Sequence, residues 1–221
     1  LLVALYIYRA LRRRTDVYFR KGRLLSALVD GCPSLRRGYM PTPWMLLDYY
    51  GHVMTIMTNV VQRLLAQRPR FRRELLTLKD GGTVGLDWAG EDQVDEKRNG
   101  VQQNNVNGNG EAKTTPKPVV ILMHGLCGCS LSPYMLGIVN GIVSRGWIAV
   151  VMVARGCGSV KLTTGVSFTA ARTGDFNETV AAVRETYPDS PIFAMGYSLG
   201  AGLLAKYVGE TGSSAGLAGA V

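Results

Sequence analysis

From residue 119 onwards, short apolar runs alternate with longer stretches in which apolar and polar residues mix. Runs of five to seven apolar residues have the length of buried strands, and the longer stretches have the length and spacing of helices. We predict strands at 119–123, 147–153 and 191–195, helices at 132–144 and 175–187, and the start of another strand at 216–221. Strands and helices that alternate along a chain form a mostly parallel sheet with helices on both faces, so the pattern predicts an α/β fold.

The second predicted helix begins at Asp175, and Glu178 follows three residues later. This spacing predicts a capping pair at the helix N-terminus. We therefore interpret Asp175 as a structural residue, ahead of any catalytic role.

The region before residue 119 has a different pattern. Two partly alternating runs, 71–78 and 83–88, flank Asp80-Gly81-Gly82 and predict a β-hairpin. Residues 16–70 are predicted to be a helical segment, broken at Gly31-Cys32-Pro33, at Pro41-Thr42-Pro43 and at Gly51. The α/β domain is thus expected at 71–221.

A polar insertion interrupts that domain at about 90–117, where asparagine and glycine are frequent. Such a composition buries too little apolar surface to offset the entropy lost on ordering. The insertion is predicted to be a disordered surface segment.

The chain opens on the apolar run 1–8, and a basic cluster follows at Arg9, Arg12, Arg13 and Arg14. Because a bilayer crossing needs about 20 apolar residues, the run is either a short core helix or the last part of a membrane anchor. The basic flank favours an anchor ending within residues 1–15, single-pass and in an endomembrane, with the flank on the cytosolic side. On this hypothesis the chain is a fragment.

The net charge of +9 first suggests a nucleic-acid partner. However, the arginines concentrate before residue 74, near apolar segments, and no nucleic-acid-binding motif or aromatic stacking pattern accompanies them. The composition therefore favours a membrane surface over nucleic acid.

The predicted strand at 191–195 leads into Gly196-Tyr197-Ser198-Leu199-Gly200, and a helical stretch follows. Gly-x-Ser-x-Gly between a strand and a helix is the context of a nucleophile elbow, a turn that exposes a serine Oγ at the edge of a sheet. Ser198 is thus the candidate nucleophile. The amide of Leu199, at the start of the helix, could donate to a developing oxyanion.

A second segment supports this hypothesis. The predicted strand at 119–123 opens into His124-Gly125-Leu126-Cys127-Gly128, a glycine-rich loop before the next helix. In an α/β hydrolase this loop carries the second oxyanion donor, here the amide of Leu126, and His124 and Gly125 would lie beside the substrate.

No cofactor is expected, and neither is a metal. Cys127 and Cys129 near His124 fit no common zinc spacing. The four cysteines are too scattered for a disulfide framework and weakly favour an intracellular face. We interpret His52 as a partly buried structural histidine.

The Ser198 motif at 196–200 is accompanied by six further segments with recognisable patterns: Thr42-Pro43-Trp44, 51–55, 80–88, 155–158, 173–175 and 206–212. Together these segments resemble the AB-hydrolase 4 family, the membrane-anchored α/β-hydrolase group of lipid esterases and medium-chain acyl ester synthases. The similarity runs from about Pro41 to the last residue, apart from the polar insertion, and Val153 replaces an asparagine frequent in the family.

The resemblance implies a serine esterase or lipase that acts on lipid or medium-chain acyl esters, with transfer to alcohols as a variant. Ser198 would form an acyl intermediate, and Leu126 and Leu199 would supply the oxyanion-hole amides. The family order is serine, aspartate, histidine, yet no histidine follows His124. We therefore expect a fragment, cut at both ends, that lacks the triad acid and base and is nearly inactive alone.

Two alternatives remain open. A noncatalytic protein with the same fold, which binds lipids or partners at a membrane, would also carry these segments. So would a basic protein that binds a membrane surface or nucleic acid and keeps the fold incidentally.

Overall fold

In the computed structural model the described residues are 22–32, 66–91 and 116–221, together with the isolated positions Leu5, Tyr8, Ile56, Val60, Val61 and Leu64. The chain divides into two compact units, Leu1–Leu65 and Ala66–Val221. Helix α1, Arg23–Gly31, belongs to the first unit and ends at the predicted break before Pro33.

Several predictions fall largely or wholly outside the described residues. They concern the anchor at 1–15 except for Leu5 and Tyr8, most of the helical segment at 16–70, His52, the family-like segments 42–44 and 51–55, and nearly all of the polar insertion. Among the described residues, no helix combines the length and apolar character that a membrane crossing requires.

The second unit is built on one six-stranded sheet. Apolar runs form its inner strands, because each of these strands is covered on both faces. The strands are β1 (Arg72–Thr77), β2 (Thr83–Ala89), β3 (Val119–Met123), β4 (Ile148–Val153), β5 (Ile192–Gly196) and β6 (Gly219–Ala220). The predicted strands are confirmed to within one residue at their ends, and the additional strand near the last residue is confirmed as β6.

The strand order is β1-β2-β4-β3-β5-β6. The predicted hairpin is confirmed: β1 and β2 are antiparallel, and β2 continues antiparallel onto β4. The other neighbours are parallel. Because β4 and β5 lie on opposite sides of β3, the chain changes direction across the sheet at β3. In open α/β sheets the crevice at such a switch point, at the carboxyl ends of the strands, is where ligands bind.

Among the described residues, three helices cover the sheet: α2 (Pro133–Val143), α3 (Gly174–Thr186) and α4 (Leu199–Thr211). Alternate residues of β3 face opposite sides. Ile121 packs in a core with α3 and α4, whereas Val120 and Leu122 pack in a second core with α2. The expectation of helices on both faces is confirmed.

The predicted capping pair of α3 is wrong. The N-cap residue is Thr173, and no side chain caps the helix. Asp175 instead forms an ion pair with Arg155, and the Glu178 carboxylate accepts a hydrogen bond from the Lys79 amide. A nearby guanidinium outcompetes the helix amides for Asp175 because a charge-assisted bidentate bond is stronger than a capping bond.

Candidate active site

Ser198 lies in the tight turn between β5 and α4. Its backbone has φ 52° and ψ −116°, a region that residues with a Cβ rarely adopt, and its side chain is exposed. Holding a serine there costs about 1–3 kcal/mol and persists only where the surroundings impose it. The local geometry is that of a nucleophile elbow.

Two glycines make this turn possible. A Cβ on Gly196 would lie 2.6 Å from the Ala201 Cα, and one on Gly200 would lie 2.7 Å from the carbonyl oxygens of Met123 and His124. All of these atoms belong to the backbone, so they cannot move to relieve the clash as a flexible side chain could. Glycine at both positions lets α4 start directly against β3 and β5.

The loop after β3 lies beside Ser198. We call residues 124–130 the oxyanion loop. A Cβ on Gly125 would lie 3.7 Å from the Ser198 Oγ, and the Tyr197 amide donates to the Met123 carbonyl at 3.0 Å. The switch point brings the two segments together, because the carboxyl ends of β3 and β5 are adjacent.

Leu126 and Leu199 both belong to these two segments. Within the part of the chain that the structure describes, neither of their amides donates to a protein acceptor. Leu199 is also the first residue of α4, where free amides and the helix dipole favour a negative charge. Their role as oxyanion donors stays a prediction.

Hydrogen bonds within the oxyanion loop, and one to α2, fix the shape of the loop. The Gly125 carbonyl accepts from the Gly128 amide at 3.0 Å and from the His124 ring at 2.7 Å. The Gly125 amide donates to the Tyr134 hydroxyl at 3.0 Å. Cys127 has φ 53°, so the loop, like the Ser198 turn, contains a non-glycine residue in a rarely populated conformation.

His124 is a structural part of this loop. Its side chain is only 1% exposed. The Ala154 amide donates to Nε2 at 3.1 Å, so Nε2 is the acceptor and Nδ1 carries the proton that is donated to the Gly125 carbonyl. With both ring nitrogens engaged by backbone, His124 has none available to take a proton from Ser198.

The environment of His124 also predicts a pH dependence of stability. Burial lowers the pKa of His124 below its ordinary value of 6.5, and the bond to Gly125 only partly opposes this. Below pH 6.5 the unfolded chain therefore binds a proton that the folded chain does not. Stability should fall as the pH drops from 6.5 towards the lowered pKa, by up to about 1.4 kcal/mol per pH unit.

The measurement is the melting temperature between pH 5 and pH 8 for the wild type and for His124→Gln. The variant should be less stable at every pH but lose less stability over the acidic half of the range. Equal slopes for the two proteins would contradict the prediction.

Ser198 has no partner base among the described residues. His124 is committed to backbone, and Asp175 is held by Arg155. Asp189 is exposed at the opposite end of β5 from Ser198, just before the strand begins. The structure thus brings the candidate nucleophile and the oxyanion loop together without a group that activates the serine.

Sequence reasoning missed two polar clusters near the site. In one, Asp87 contacts Arg73 and Ser130. In the other, Arg155 contacts Asp80 and Asp175. A signal was available for the first, because Asp87 interrupts an otherwise apolar strand, and a buried carboxylate requires a charged or hydrogen-bonding partner.

No group of three or more potential metal ligands occurs among the described residues. Cys127, Cys129 and Cys157 are free thiols, and burial raises the pKa of the Cys157 thiol.

Comparison with known proteins connects this geometry to a family. Residues 114–221 match the family model Hydrolase_4, described as serine aminopeptidase, S33. The embryogenesis-associated protein EMB8 of Picea glauca is 37% identical over 194 residues, which are 88% of this chain and 39% of that protein. Phospholipase ABHD3 of Homo sapiens is 29% identical over 188 residues, 84% of this chain and 41% of that protein.

Medium-chain fatty acid ethyl ester synthase/esterase 2 of Saccharomyces cerevisiae is 35% identical over 111 residues, 50% of this chain and 25% of that protein. The chain therefore spans about two fifths of the length of the spruce and human relatives. The family match covers β3 to β6, and with them both the oxyanion loop and the Ser198 turn. Residues 114–221 thus form a Hydrolase_4 domain, and the similarity to these relatives is consistent with the AB-hydrolase 4 family.

Proposed function

We propose that the protein is a serine hydrolase that cleaves carboxylic esters of lipids or of medium-chain acyl groups through an acyl-serine intermediate. The observation that carries the proposal is the Ser198 turn. A serine in a strained conformation, next to a loop whose shape is fixed by its own hydrogen bonds, is costly to maintain without chemistry.

In the proposed reaction the Ser198 Oγ attacks the ester carbonyl carbon while a base removes its proton. The amides of Leu126 and Leu199 would donate to the oxyanion, and losing one such donor typically raises the barrier by about 2.7–4 kcal/mol. The carbon–oxygen bond to the alcohol then breaks, and the proton goes to the leaving alcohol. Water or a second alcohol next attacks the acyl-serine, which releases an acid or a new ester and restores Ser198.

The apolar surroundings of the oxyanion loop suit an acyl substrate. Leu126 is 75% exposed and Leu131, just after the loop, is 53% exposed. The names of the human and yeast relatives, a phospholipase and an ethyl ester synthase/esterase, favour acyl esters as the substrate class. The apolar run at 1–8 and its basic flank support action at a membrane surface.

We further propose that residues 1–221 do not supply the base. The sequence has two histidines, His124 is bonded to backbone through both ring nitrogens, and the family order puts the histidine after the serine. The 221-residue chain alone should then be nearly inactive.

The test is labelling with a fluorophosphonate probe, which reacts with activated serines. The full-length protein and the 221-residue chain are each compared with their Ser198→Ala variant. Ser214→Ala, which removes an exposed hydroxyl bonded to the Thr211 carbonyl, is the matched control. We expect full-length protein to be labelled, Ser198→Ala to abolish labelling, Ser214→Ala to have no effect, and the 221-residue chain to stay unlabelled.

Absence of labelling in a folded full-length protein would refute the hydrolase proposal. It would favour the alternative, a noncatalytic protein of the same fold that binds lipids or partners.

A further inference from the structure

Asp87 is a buried carboxylate on β2 whose contacts lead towards the oxyanion loop. Its side chain is 3% exposed. Arg73, its cross-strand neighbour on β1, donates to it through Nε and Nη2, both at 2.6 Å. This bidentate ion pair satisfies part of the hydrogen-bonding capacity of the carboxylate and fixes its orientation.

A second contact of Asp87 reaches the loop itself. Ser130, the last residue of the oxyanion loop, is 1% exposed, and its hydroxyl donates to the Asp87 Oδ2. The carboxylate thus holds the end of the loop against β2, the strand next to β4.

Arg73 extends the same cluster to a neighbouring loop. Its Nη1 donates to the Gly158 carbonyl, in the segment that follows β4. That segment packs tightly on the oxyanion loop, because a Cβ on Gly158 would lie 2.7 Å from the Cys129 Cβ. The ion pair of Arg73 and Asp87 therefore connects the hairpin to both loops.

The oxyanion loop needs such support. Cys127 has φ 53°, a conformation that a residue with a Cβ keeps only where its surroundings impose it. Donors for an oxyanion act efficiently only if they are in place before the reaction. Tyr134 holds the loop near Gly125, at its start. Its end is held by Ser130 and by the Cys129 amide, which donates to the Ser132 Oγ at 3.1 Å.

We propose that Asp87, acting through Ser130, is a positioning residue that fixes the oxyanion loop beside Ser198. It touches no reacting atom. The catalytic consequence of this role rests on the proposed function, whereas the fixing of the loop does not.

The first experiment measures the loop directly by amide hydrogen exchange with mass spectrometry, in the full-length protein. Ser130→Ala removes the contact to the loop and leaves Arg73 bound to Asp87. Ser144→Ala removes a hydroxyl bonded to the Gly141 carbonyl at the end of α2 and is the matched control. Peptides that cover residues 124–130 should exchange about tenfold faster or more in Ser130→Ala, with the rest of the sheet unchanged, and as in wild type in Ser144→Ala.

The second experiment measures turnover of a p-nitrophenyl acyl ester and inhibition by a trifluoromethyl ketone, which forms a tetrahedral oxyanion on serine. In Ser130→Ala we expect kcat to fall about tenfold or more with little change in KM. The affinity for the ketone should fall in proportion to kcat/KM. Asp87→Asn should give the same pattern, and the double variant should be no worse than the more impaired single variant, since the two residues act as one unit.

Loop exchange in Ser130→Ala that equals wild type would overturn the inference, and so would faster exchange with unchanged kcat in an enzyme that labels at Ser198. Faster loop exchange in a protein whose Ser198 never labels would support the positioning role and refute the proposed function.

Discussion

Gly200→Ala should destabilise the protein and lower any reactivity of Ser198 about 100-fold. The new Cβ would lie 2.7 Å from the carbonyl oxygens of both Met123 and His124. Because these are backbone atoms of β3 and the oxyanion loop, α4 must move away from the sheet. Overpacking of this kind costs about 1–3 kcal/mol, and a displacement of about 1 Å at a reacting group can cost about 100-fold in rate.

The chain offers a matched control two residues along the same helix. A Cβ on Gly202 meets nothing within 4 Å. Gly202→Ala should stabilise the protein by about 0.5–1 kcal/mol, because alanine loses less backbone entropy than glycine in a helix. Urea unfolding of both variants, with fluorophosphonate labelling of the full-length forms, tests the pair. A Gly200→Ala variant as stable and as reactive as Gly202→Ala would contradict the close packing of α4 against β3.

Arg155→Met should cost about 3–5 kcal/mol of folding free energy, the range found when one partner of a buried ion pair is removed. Arg155 is 3% exposed and donates to Asp175 through Nε at 2.6 Å and Nη2 at 2.8 Å. It also donates to Asp80 at 2.8 Å. Without the guanidinium, Asp175 would be a buried carboxylate with no cation beside it.

Arg172→Met is the control for this prediction. Arg172 binds the same Asp80 at 3.0 Å, but its side chain is 43% exposed. An exposed ion pair typically contributes about 0–1 kcal/mol, so the variant should be nearly as stable as wild type. Urea unfolding at neutral pH checks both substitutions, and equal losses for the two would argue against a special role for the buried pair.

The pKa of Asp80 is lowered to about 2, chiefly by its hydrogen bond to Arg155. A lowered carboxyl pKa means that the stabilising contribution is complete above the ordinary value of 3.8 and is lost as the pH falls towards about 2. At neutral pH the Asp80 carboxylate is therefore charged. The folding free energy that Arg155→Met loses at this pH includes the interaction of Arg155 with that charged carboxylate.

These two predictions involve residues for which the sequence offered different amounts of information. Gly200 belongs to Gly-x-Ser-x-Gly, whose five residues are contiguous, so the motif already indicated why a side chain there would collide. Arg155 and Asp175 were recognisable as parts of family segments, but nothing in either segment indicated that they meet. The α3 capping prediction was wrong for this reason, because the local spacing indicated a contact of Asp175 within its own helix.

Other contacts near the candidate site could not be predicted from the sequence for the same reason. The sequence predicted the loop after β3 and a donor within it, the Leu126 amide, but not the contact between Ser130 and Asp87, which are 43 positions apart. It placed His124 in the loop without indicating that both ring nitrogens bind backbone.

The sequence by itself determined the alternation of strands and helices, the hairpin and the tight turn at Ser198, because each depends on residue spacing over fewer than about 20 positions. Only the tertiary structure decided which polar residues meet. Arg155 and Asp80 are 75 positions apart, and they are brought together because the hairpin strand β2 lies next to β4. Strand order depends on the packing of the whole sheet, so a local pattern of hydrophobic and charged residues cannot predict it.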